Sequence, residues 1–91
     1  MERQGINMSE DEFEVLDQLY FITPYNDLIE NLNYEDEILL DTIWLLVGKG
    51  WIKCFESPDI EIEPDEHTLR INYMKYKYLA SKQGLFAHNS R

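Results

Sequence analysis

The sequence is poor in cysteine, in basic residues and in long apolar runs. Cys54 is its only cysteine, which excludes an internal disulfide and any zinc site built on several cysteines. No apolar run approaches the roughly 18 residues of a membrane-spanning helix. Residues 1–5 lack the basic and apolar parts of a signal peptide. We therefore expect a cytoplasmic protein with no membrane partner.

Basic residues are outnumbered, with 8 against 18 acidic residues and a net charge of −10. All 18 acidic residues lie within residues 1–66, whereas five of the basic residues lie within residues 67–91. This balance opposes the attraction to phosphates on which non-specific DNA affinity depends. The two parts have opposite sign, so they could meet across the fold or between two copies of the chain.

The chain is long enough for one small hydrophobic core. It has 91 residues, of which 44% are hydrophobic and 13% aromatic, too apolar for a disordered segment. We expect one domain over residues 1–91, with flexible ends at residues 1–8 and 89–91.

The first half of the sequence predicts three helices. Ser9 and Glu12 have the spacing of a capping box, which starts the first helix at Ser9. Thr23 and Pro24 suit the cap and first turn of a short second helix. The third helix is expected over residues 34–47, where acidic residues precede a wide apolar side.

The second half predicts a β-hairpin and a returning strand. Residues 51–55 are aromatic and β-branched, and residues 60–63 alternate between isoleucine and glutamate. Cys54 is expected to be buried in the first of these strands. Residues 76–79 suit the returning strand, after which Ser81 could cap a short helix or a turn. A single helix over residues 68–83 is the alternative, and the sequence leaves it open.

Two segments in this order resemble the winged helix-turn-helix family. Residues 45–52, LLVGKGWI, resemble the junction between that family's recognition helix and its first wing strand. Residues 78–85, YLASKQGL, are similar to the segment that closes many such domains. The resemblance spans most of residues 9–88. It implies an α+β winged-helix-like domain, with three N-terminal helices, a β-hairpin wing and a short C-terminal helix or turn.

The positions that would bind DNA in that family carry the wrong residues here. The family's third helix usually offers polar or basic side chains to base edges, and its wing offers basic residues to phosphates. In this sequence the matching helix begins with carboxylates, and Thr42 is its one conventional base-reading candidate. Large apolar residues on the outward side suggest contact with a protein instead. The predicted interface residues are Ile38, Asp41, Thr42 and Leu45.

The sequence therefore predicts a non-enzymatic protein-interaction or dimerisation module with a role in regulation. Its partner would be another protein or a second copy. The alternative is a DNA-binding transcriptional regulator whose basic C-terminal segment contacts phosphates through Arg70, Lys75, Lys77 and Lys82.

No catalytic residue, cofactor or metal is predicted. The four glycines fit neither nucleotide-binding fingerprint, and a buried Cys54 would make a poor nucleophile. Glu63, Asp65 and His67 could hold a metal in an extended loop, but acidic loop tips are more often solvated.

Overall fold

The computed structural model describes residues 7–90, which form an α+β domain. Within that range there are five α-helices: α1 (Glu10–Asp17), α2 (Tyr25–Leu32), α3 (Asp36–Gly48), α4 (Glu66–Asn72) and α5 (Lys82–Asn89). Four strands form one antiparallel sheet: β1 (Thr23–Pro24), β2 (Ile52–Ser57), β3 (Ile60–Ile62) and β4 (Lys77–Ala80). A 3₁₀ turn (Tyr73–Lys75) joins α4 to β4. The expected α+β class is confirmed.

Helix α1 begins as the capping box predicts. The Ser9 hydroxyl accepts from the Glu12 amide at 3.1 Å, and Glu12 Oε1 accepts from the Ser9 amide at 2.9 Å. Val15 and Leu16 on the other side of the helix are fully buried in the core. The reciprocal cap therefore fixes where the helix starts and which of its faces packs inward.

The expected second helix is present as α2, but Thr23 and Pro24 precede it and do not form its first turn. Thr23 and Pro24 form the edge strand β1, opposite Tyr78 and Lys77 of β4. The Thr23 hydroxyl donates to the Phe21 carbonyl at 2.7 Å and to the Gln18 carbonyl at 3.3 Å, so it does not cap α2. Proline is tolerated here because an edge strand has a side on which no amide donor is needed. The third helix also begins later than expected, at Asp36.

The sheet has the strand order β1-β4-β2-β3, so the returning strand lies between β1 and the hairpin. Cys54 of β2 is paired with Tyr78 of β4 on one side and with Ile62 of β3 on the other. Cys54 and Tyr78 are both buried beneath the helices. The predicted hairpin and the predicted burial of Cys54 are confirmed.

The segment that the sequence left open contains both a helix and a strand. The returning strand is confirmed as β4, and a single helix over residues 68–83 is wrong. Helix α4 was not predicted as a separate element. It is capped by Asp65, whose carboxylate accepts from the Thr68 amide at 2.8 Å, and it buries Leu69. A short side-chain cap and one apolar anchor suffice for a helix of two turns that packs on a core.

Helix α5 closes the domain against α1 and the start of β2. Ser81 caps it by accepting from the Gly84 amide at 3.0 Å, which confirms the helix rather than the turn. The Ser81 amide donates to the Trp51 carbonyl at 2.8 Å. At the far end, the His88 ring stacks on Phe13 with 4.3 Å between ring centroids. Both ends of α5 are therefore attached to the rest of the fold.

The expectation of flexible ends falls partly on residues 1–6 and 91, which lie outside the described residues. Met8 packs against the core, and Asn89 accepts a hydrogen bond from the Tyr20 hydroxyl at 2.9 Å. Between residues 7 and 90, no helix has both the length and the apolar character needed to cross a bilayer.

Candidate interaction surface

The outward face of α3 exposes two large apolar side chains. Ile38 is 45% exposed and Leu45 is 56% exposed, whereas Leu39, Ile43 and Leu46 on the inward side are fully buried. Ile38 and Leu45 are seven residues apart, which puts them on one face of the helix, two turns from each other. Asp41 is exposed between them. These three predicted interface residues share one solvent-facing ridge.

Thr42 does not belong to this ridge, and its predicted outward position is wrong. Its residue exposure is only 5%, and its hydroxyl donates to the Ile38 carbonyl at 2.8 Å. Lys49, seven residues further along, lies on the same side of α3 and forms an ion pair with Glu12 of α1 at 2.8 Å. Helix α1 therefore covers this side of α3. No polar hydroxyl is left there to read a base.

Arg70 connects the ridge to the neighbouring helix α4. Its Nη2 lies 3.0 Å from Asp41 Oδ1, and its Nε lies 3.0 Å from Glu66 Oε2. The hydrogen bonds to both carboxylates raise the pKa of the guanidinium above its usual value. All three side chains are partly exposed, so each pair contributes little to stability. Arg70, predicted as a phosphate contact, forms an ion pair within the chain with Asp41, a predicted interface residue.

A second link joins the same two segments at the start of α3. Asp36 accepts from the Tyr73 hydroxyl at 2.9 Å and also from the hydroxyl of buried Tyr25. Burial, followed by the Asp36 contact, raises the pKa of the Tyr25 phenol well above its usual value. The Arg70 and Tyr73 contacts run in opposite directions along α3 and α4, so the two segments lie antiparallel, side by side.

Two further exposed apolar side chains lie on the segment that packs beside α3. Ile71 of α4 is 63% exposed, and Met74 of the following 3₁₀ turn is 59% exposed. They are three residues apart, a spacing that puts both on one side of a helical segment. Four of the eight exposed large hydrophobic residues among the described residues thus lie on two adjacent segments. We call these four residues (Ile38, Leu45, Ile71 and Met74), with Asp41 and Arg70 between them, the α3–α4 surface.

Sequence reasoning missed Ile71 and Met74 because residues 68–75, before the predicted returning strand, were assigned to an element only in the alternative of a single helix over residues 68–83. The available signal for a helix here was Pro64-Asp65, which suits a helix start, followed by apolar residues. Of these, Leu69 is buried, whereas Ile71 and Met74, three residues apart, are exposed.

The other predicted phosphate contacts do not form one patch. Lys75 lies in the 3₁₀ turn, Lys77 at the start of β4, and Lys82 beyond its end at the first position of α5. Lys77 is half-buried, and its Nζ is 3.5 Å from the Glu56 carbonyl oxygen. Arg70 is paired with two carboxylates, and the three lysines lie on three different elements.

The residues with nucleophilic or metal-binding chemistry are not assembled into a reactive site. Cys54 borders a cleft of about 420 Å³ between the end of α3 and the hairpin. Burial, aided by the nearby Glu61 carboxylate, raises the pKa of its thiol to about 12. A thiol so rarely ionised is a weak nucleophile. Across residues 7–90, no three His, Cys, Asp or Glu side chains are grouped so as to hold a metal ion.

Comparisons with protein-family models, curated proteins and solved structures give no match to this chain.

Proposed function

We propose that this chain is a non-enzymatic, winged-helix-like module that binds a protein through the α3–α4 surface and acts in regulation. The observation that carries this function is the concentration of exposed apolar side chains on α3 and the adjacent α4. On α3 they stand where winged-helix proteins that bind DNA present polar and basic side chains. A surface of this kind stabilises a complex by losing contact with water.

The order of the elements supports the winged-helix component. Three helices precede the β2–β3 hairpin, and the returning strand lies between β1 and β2. Residues 45–52 span the end of α3 and the start of β2, and residues 78–85 span the end of β4 and the start of α5. Helix α4 and the 3₁₀ turn are additions between the hairpin and the returning strand. They enlarge the surface beside α3.

The charges on α3 support a protein partner over DNA. Glu35 and Glu37 are exposed at the start of the helix, and Asp41 follows one turn later. A duplex docked on this helix would bring its phosphates close to all three carboxylates. The positive charge of Arg70 is paired with the carboxylates of Asp41 and Glu66, so it does not neutralise Glu35 or Glu37.

A titration with generic duplex DNA separates the two functions. We expect no saturable binding at low ionic strength, because the helix presents carboxylates where phosphates would lie. Micromolar binding that weakens steeply with salt, and that is lost on neutralising Lys75, Lys77 and Lys82, would favour the transcriptional regulator instead.

The dimerisation version has its own test. Leu45→Glu places a charge on the ridge without disturbing the core, since the wild-type side chain is more than half exposed. If the ridge joins two copies, light scattering will show a dimeric wild type and a folded, monomeric variant. A dimer in both proteins would place the interface elsewhere, and a monomer in both would leave only an outside partner.

A further inference from the structure

We propose that the partner bound by the α3–α4 surface is a cationic amphipathic protein segment rather than a second copy of this chain. This inference rests on the proposed function and specifies the chemistry of the occupant. It depends on three features of the surface: its free charges, the charge of the whole chain and the spacing of its apolar residues.

The free charges at the start of α3 are acidic. Glu35 and Glu37 are exposed, and no hydrogen bond or ion pair engages either carboxylate within residues 7–90. Lys49 is bound to Glu12 and Arg70 to Asp41, so these two cations do not neutralise Glu35 or Glu37. A partner with lysine or arginine beside its apolar residues would therefore meet unpaired carboxylates at one end of the ridge.

A second copy fits these charges poorly. In a two-fold dimer the same patch faces itself, so the cations that each ridge would bring to the other, Lys49 and Arg70, are already bound within their own copy. Each copy also carries a net charge of −10, which adds long-range repulsion at low salt. The only cation central to the surface, Arg70, already has two carboxylate partners.

The spacing of the apolar residues suits a helical occupant. Ile38 and Leu45 are separated by two helical turns, about 10.5 Å. Ile71 and Met74 are exposed on the adjacent segment, three residues apart. An amphipathic helix that lies between the two pairs would contact both with apolar residues on one of its faces, and its cationic flanks would lie towards Glu35 and Glu37.

The test uses a fluorescent helical probe peptide of leucine and lysine with all its leucines on one face. Two control peptides accompany it: one with the same residues in shuffled order and one with glutamate in place of lysine. We expect the probe to bind wild type in anisotropy titrations at 0.15 M salt, and both controls to bind at least about tenfold more weakly.

Three variants locate the binding, and circular dichroism checks that each is folded. Leu45→Ser with Ile71→Ser should weaken probe binding by about tenfold. Glu35→Gln with Glu37→Gln should weaken it severalfold and reduce its salt dependence. Phe86→Ser is the matched control, because Phe86 is 71% exposed on α5. It should leave binding unchanged.

The inference is overturned if the probe does not bind or if the shuffled peptide binds equally well. It is also overturned if the serine variants on α3–α4 and on α5 lose equal amounts of probe affinity. These results leave the proposed function standing as long as duplex DNA does not bind. Saturable DNA binding would instead contradict the proposed function itself, so the two failures are distinguishable.

Discussion

Gly84→Ala should destabilise the fold, because no space exists for a side chain at this position of α5. A Cβ at Gly84 would lie 2.0 Å from the Trp51 carbonyl oxygen and 3.2 Å from Leu16 Cδ2. An ordinary non-bonded contact is about 3.5 Å, so α5 must move by roughly 1.5 Å. The same Trp51 oxygen accepts the Ser81 amide at 2.8 Å, and this hydrogen bond would be strained by the movement.

The expected cost can be estimated from opposing terms. Overpacking costs about 1–3 kcal/mol and a weakened hydrogen bond about 1 kcal/mol, while alanine gains about 1 kcal/mol over glycine in helix propensity. The net loss is about 2 kcal/mol, which lowers the Tm of a domain of this size by roughly 8–16 °C.

Thermal and urea unfolding followed by tryptophan fluorescence would measure this loss. Gly48→Ala is the matched control, since a Cβ at Gly48 has no heavy atom within 4 Å. Alanine at this last position of α3 should be neutral or stabilise by up to about 1 kcal/mol. If Gly84→Ala proved as stable as Gly48→Ala, the close packing of α5 on Trp51 would be refuted.

Two further predictions concern buried polar groups. Lys49→Met should cost about 1–3 kcal/mol in urea unfolding, because it leaves the buried Glu12 carboxylate without its cation, and adding Glu12→Gln should recover part of the loss. An unchanged free energy of unfolding in Lys49→Met would show that the Lys49–Glu12 ion pair does not stabilise the fold. Stability should also fall as the pH rises above about 9, since burial raises the pKa of the Cys54 thiol from 9.0 to about 12 and that of the Tyr25 and Tyr78 phenols above their usual 10.0. The unfolded chain then loses these protons first, so this stabilisation is complete below pH 9 and is lost towards pH 12. A urea midpoint that stays constant up to pH 11 would contradict it.

Local signals in the sequence predicted the elements whose ends are set by neighbouring residues. The Ser9–Glu12 box and the Ser81 cap both act over three residues, so each helix start can be read from the chain. The alternating residues of the hairpin similarly reflect contact with one buried face.

Contacts between residues far apart in the chain determine the features that the sequence did not predict. Thr23 and Pro24 suit a helix start, but pairing with β4 makes them a strand. Thr42 suits an exposed position on an isolated helix, yet it is buried in the fold, where α1 packs against α3. Part of the candidate surface was missed for the same reason, since Ile71 becomes its neighbour only when α4 packs beside α3. Such long-range contacts have no signature within a short sequence window.

Photo-crosslinking in living cells tests most directly whether the α3–α4 surface binds a protein. A photoreactive amino acid would replace Leu45 or Ile71 on the surface, and Phe86 on α5 as an equally exposed reference position. We predict that positions 45 and 71 give the same discrete protein adduct, identified by mass spectrometry, and that position 86 does not. The adduct at position 45 should disappear when Ile71→Ser and Met74→Ser are added. Equal crosslinking at all three positions, or adducts to nucleic acid at positions 45 and 71, would contradict the account.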